Sequence, residues 1–71
     1  MRTFTENLAL KAAYPAGSMV ELKKMDYVAA PPVGTRGIVK FVDDLGTAHV
    51  KWENGSEINV VLGEDEIVRI F

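Results

Sequence analysis

The chain has 71 residues, no cysteine, 48% hydrophobic and 25% charged residues, and a net charge of −2. That length fits one domain, which buries only about 60% of its unfolded surface and so has a thin stability margin. The composition argues against disorder and excludes a disulfide staple or a thiolate zinc site, leaving one compact hydrophobic core, alone or helped by a partner chain.

The opening MRTFTENLALKAAYPAG has one early arginine and an alanine-rich patch, but Glu6, Asn7 and Lys11 interrupt the apolar run of a signal peptide. No stretch approaches the roughly 18 to 20 apolar residues of a membrane helix. The expectation is a soluble, cytoplasmic chain. Thr3-Phe4-Thr5-Glu6 fits a capping box, and a helix is predicted from Thr3 to Ala13. Phe4, Leu8 and Lys11 or Ala12 share its stripe, with Leu10 off it. Tyr14-Pro15 ends it, because a residue before proline resists helical geometry. A helix of about ten residues is marginal alone and must dock or fray.

After Pro15-Ala16-Gly17 the pattern becomes β. SMVELKKM sets Met19, Glu21 and Lys23 against Val20 and Leu22, a half-buried strand. MDYVAAPPVGT, residues 25–35, is a long irregular loop with two prolines and a glycine. RGIVKFV is the second strand, with Gly37, Val39 and Phe41 on one face and Ile38, Lys40 and Val42 on the other. Both faces carry apolar groups, so its inner face is open. Asp43-Asp44-Leu45-Gly46 is a turn. TAHVKWE follows, with Ala48, Val50 and Trp52 opposite Thr47, His49, Lys51 and Glu53. Asn54-Gly55 predicts a type I′ hairpin into SEINVVL. Its Asn-Gly-Ser triplet would be a glycosylation acceptor only in a secreted chain. Leu62-Gly63-Glu64-Asp65 connects to a last strand, EIVRIF.

Five short strands cannot make two large sheets, but they can make a small, strongly bent barrel that hides most edges. A long first loop followed by hairpins is the order of an SH3-like barrel. The expected fold is therefore all-β, a five-stranded SH3-like barrel over residues 17–71 with an N-terminal helix extension over 1–16.

YPAGSMVELKKM, PPVGTRGIVKFVDDLG, HVKWENGS and LGEDEIVRI together resemble a family catalogued as domain of unknown function 4314, found in bacteria and on phage-like or mobile elements. The resemblance runs from Tyr14 to Ile70. Members usually carry Asp where this chain has Glu53, and a short acidic run where it has Asp26-Tyr27. The V-x-W-[DE]-N-G pattern is also similar to SH3-like barrels of the ubiquitin-ligase-associated type, which are interaction modules. The resemblance implies the fold and supplies no activity, because the family has none assigned.

Trp52 shares a face with Ala48 and Val50, which makes it a core anchor ahead of a groove floor. His49 is the only histidine, and without a second His or Cys it is a poor metal ligand; it reads as exposed and non-functional. The acidic residues of the turns lack calcium-loop spacing, and no glycine-rich loop precedes a helix. No nucleophile–base pair or metal set can be named, so the expectation is no enzyme, no cofactor and no metal.

The leading expectation is a non-catalytic interaction module for a protein partner, in keeping with carriage on a phage or mobile element. Its face would join Met25, Tyr27, Pro31 and Pro32 of the loop to Asp43 and Asp44 of the turn. The alternative is a nucleic-acid-binding regulator using a stripe of Lys23, Lys24, Arg36, Lys40 and Arg69. Residues 1–40 carry a local +3 and residues 41–71 a local −5, which weakens that alternative. The acidic half suggests a third reading, an acidic inhibitor of a DNA-binding enzyme. The helix, or Ile70-Phe71, could instead bury against a second copy of the chain.

Overall fold

A computed structural model describes residues 4–71. Helix α1 spans Phe4–Ala13, and strands β1 to β5 span Met19–Lys24, Arg36–Val42, Thr47–Trp52, Val60–Val61 and Glu66–Arg69. Thr3, the expected cap, lies outside the described residues. The strands form one antiparallel sheet in the order β4-β3-β2-β1-β5. The chain is thus all-β with one short helix. The expected closure into a barrel is not made. β4 and β5 are the two edges of the sheet, and beyond them, among the described residues, only an isolated bridge links Leu62 to Asp65. With two residues, β4 is too short to offer β5 a ladder.

One face of the sheet builds the core. Val20, Leu22, Val39, Val42, Ala48, Val50, Trp52, Val60, Leu62 and Ile67 are all buried. Each buried aliphatic contributes about 1.5–3 kcal/mol of transfer free energy, so the core rests on alternation in β1 and β3. β2 departs from strict alternation. Its register with β3 shifts between Val39 and Phe41, leaving Lys40 as an extra residue in a bulge. The parity flips there: Gly37, Val39 and Val42 face inward, and Ile38 and Phe41 face outward. The grouping of Phe41 with Gly37 and Val39 is therefore corrected. Gly37 is fixed by packing, since a Cβ there would lie 2.6 Å from Val50 Cγ1 and 2.8 Å from Trp52 Cε3.

Leu10 and Tyr14 pack α1 against the core, while Leu8, on the expected stripe, is half exposed. The helix meets the core close to its C-terminal end, so the residues nearest the reversal into β1 make the contact. A turn then reverses the chain into β1. The Ser18 amide and hydroxyl both donate to the Pro15 carbonyl, and the Gly17 amide donates to the Val39 carbonyl.

The β2–β3 and β3–β4 turns share one design. In the first, the Gly46 amide donates to Asp43 O and the Asp43 amide to Thr47 O. In the second, the Gly55 amide donates to Trp52 O and the Trp52 amide to Ser56 O. Both are three-residue loops closed by a glycine at positive φ, 81° at Gly46 and 88° at Gly55. Asn54 has no positive φ, so the expected type I′ turn is replaced by this longer loop. SEINVVL is also not a full strand: residues 56–59 are irregular and only Val60–Val61 pair with β3. The reason is Trp52, whose buried indole Nε1 donates to the Ile58 carbonyl at 2.8 Å. A side chain takes the carbonyl that a ladder would have used.

Candidate functional site

The 25–35 loop is anchored at both ends. The Leu22 amide donates to Thr35 O and the Gly34 amide to Leu22 O, so the loop returns onto β1 beside its own start. Met25 is half-buried against the core and Pro31 is buried. The Pro32 carbonyl accepts from both the Thr35 amide and its hydroxyl, leaving the Pro32 ring exposed. Tyr27 is 57% exposed and Val28 is fully exposed. The loop backbone is tied down by these bonds and its tip projects apolar surface.

Met25, Asp26 and Tyr27 form one wall of a depression of about 390 Å³. The opposite wall is Ile58, Asn59, Val61, Glu64 and Asp65. The lining mixes the apolar Met25, Tyr27, Ile58 and Val61 with Asn59 and three carboxylates, and holds no lysine or arginine. The Asp65 carboxylate accepts from the Val61 amide at 2.9 Å, which ties the β4–β5 connection to the edge strand. The irregular backbone of residues 56–59, drawn to Trp52, helps shape this wall.

Asp43 and Asp44 do not line this depression. Asp43 is committed to its own turn: its Oδ1 accepts from the Leu45 and Thr47 amides, both at 2.9 Å, and its Oδ2 lies 3.0 Å from His49 Nε2. The His49 hydrogen bond, followed by the backbone amide of Thr47, holds the Asp43 carboxyl below its ordinary value. Asp44 pairs with Lys11 of α1. The turn therefore faces the helix. His49 is half-buried, not exposed and alone, because its ring stacks on Phe41 with centroids 4.2 Å apart.

The basic residues form no open stripe. Glu21 takes Lys23 at 2.5 Å and Arg36 at 3.5 Å, and Lys40 reaches Glu57 at 3.4 Å. The Lys23 hydrogen bond, above all, lowers the Glu21 carboxyl, with Arg36 adding to it. Lys24 and Arg69 are exposed and make no ion pair among the described residues. No group of three metal-ligating side chains occurs among the described residues.

Ile58, Asn59 and Val61 were hidden by reading 56–62 as a regular strand. A buried tryptophan's need for a hydrogen-bond acceptor was the available signal, though it does not say which carbonyl answers.

A family model described as Domain of unknown function (DUF4314) matches residues 5–70. No curated protein and no solved structure matches the chain. No helix among the described residues is long and apolar enough to cross a membrane.

Proposed function

The chain belongs to the domain of unknown function 4314 family, and from that premise we propose that it is a non-catalytic, SH3-like interaction module that binds a protein partner. The face is the tip of the 25–34 loop together with residues 58–65. The observation that carries this reading is the depression between Tyr27 and the 58–65 segment, lined by apolar and acidic side chains with anchored backbone on both sides. The meander order with β5 returning beside β1, and the long first loop, support the SH3-like description. The neutralisation of Lys23, Arg36 and Lys40 by nearby carboxylates favours a protein over a nucleic acid as partner. The only histidine is engaged by Asp43 and Phe41 away from the depression, which supports a binding role over a catalytic one.

A photo-crosslinking amino acid tests this directly. Placed at Tyr27 or Asn59 in the native host, it should give a discrete protein adduct. Placed at Lys51, on the outer sheet face, it should not. Equal labelling from all three positions, or adducts with nucleic acid alone, would reject the reading.

A further inference from the structure

We propose that the depression takes a cationic, aliphatic stretch of its partner, a lysine or arginine beside an aliphatic residue in extended backbone. The inference rests on the reading that this depression is the partner face, and adds the chemistry of what enters it. Asp26, Glu64 and Asp65 line it and no cation does. The neighbouring depressions mix signs: one carries Arg36, Lys51 and Glu53, and the other Lys23, Asp65 and Glu66. Asp26 and Glu64 make no ion pair among the described residues, so their charge is available to a newcomer. Lys24, the nearest cation in the sheet register, stands opposite Glu66 without bonding to it.

Apolar and aromatic surface completes the recognition. The half-exposed Tyr27 ring offers a platform on which a guanidinium or ammonium group gains cation–π attraction. Met25, Ile58 and Val61 line the same depression with aliphatic surface. The exposed Asn59 amide can bond to extended backbone. A polyanion would meet three carboxylates at the same opening, so charge complementarity selects a basic protein segment.

Selection of a random displayed peptide library against the full chain tests this, followed by amide chemical-shift mapping with the best peptide. The expected peptides place lysine or arginine next to leucine, isoleucine or valine. Their shifts should centre on Met25–Tyr27, Ile58–Val61 and Glu64–Asp65. Asp26→Asn with Glu64→Gln should weaken binding about tenfold, and raising NaCl from about 50 to about 500 mM should weaken it for the unaltered chain. Neutral or acidic peptides that bind this depression would overturn the charge inference and leave the protein-partner reading standing. No selected peptide, or shifts confined to another face, would overturn both. Concentration-dependent broadening at the depression without peptide would assign it to a second copy and overturn the proposal.

Discussion

The turns at Asp43–Thr47 and Trp52–Ser56 have the same backbone design, yet one opens into a six-residue strand and the other into two strand residues. The difference lies in what each turn's side chains bond. Asp43 points its carboxylate back at the turn's own amides and at His49, so the strands on either side are free to pair. Trp52 reaches forward and takes the carbonyl of Ile58, which pulls the following four residues off the sheet. Local turn chemistry sets the reversal, and a single side-chain hydrogen bond decides how far the ladder runs. The irregular stretch so created becomes one wall of the depression beside Tyr27, so the less regular hairpin is the one that shapes the proposed partner face.

Substitutions can break or sharpen this contrast. The largest effect is expected where the two hairpins share packing. Gly37→Ala drives a Cβ into Val50 and Trp52, and should cost about 3 kcal/mol in urea unfolding. Trp52→Phe keeps much of the ring but leaves the Ile58 carbonyl without its donor, for a cost of about 2 kcal/mol. Amide exchange should accelerate at 57–61 and stay unchanged at 44–48. Equal acceleration in both turns would end the distinction drawn above.

Gly55→Val tests the loop itself. The space around Gly55 is open, so the penalty comes only from its φ of +88°, about 1–2 kcal/mol. Its loss should appear as a lower thermal midpoint, with the depression's peptide affinity unchanged at temperatures where the protein is folded. The smallest effect belongs to Asp43→Asn, which retains the capping geometry and removes the charge. Because the folded-state pKa of Asp43 is depressed, its contribution is present above the unfolded value, near 3.8, and is lost as pH falls through the folded value. The unaltered chain should therefore lose more stability than the variant between neutral pH and acid. The side chain is 29% exposed, so the difference should stay below about 1 kcal/mol.

Much of this architecture could be read from residue order. The alternation of Val20 with Leu22, and of Ala48, Val50 and Trp52, named the inner faces of β1 and β3, and all five residues are buried. Proline and glycine marked the first loop and the turns. What escaped was non-local. The bulge at Lys40 is invisible to a period of two, because nothing in VKF says which residue is extra. Leu10 docks on the core despite lying off the helical stripe, since a helix this short meets the core mainly through its last turns. Of the six residues named for a partner face, Met25 and Tyr27 line the depression and four do not: Pro31 is buried, Pro32 lies outside the lining, and the turn of Asp43 and Asp44 lies against Lys11 of α1. Sequence proximity to a loop says little about which turn folds beside it.

The bulge in β2 also fixes what kind of change this protein can absorb. Lys40 is exposed and stands outside the pairing, so the identity of its side chain matters little. Removing it would leave Val39, Phe41 and Val42 in strict alternation, with Phe41 still outward opposite His49 and Val42 still inward opposite Ala48. The pairing on both sides of the bulge is kept, and only the local bend is lost. A deletion at Lys40 should therefore be tolerated, whereas an insertion or deletion at a paired position of β2 would turn the side chains beyond it to the wrong face. Variation in length along this strand should concentrate at this one position.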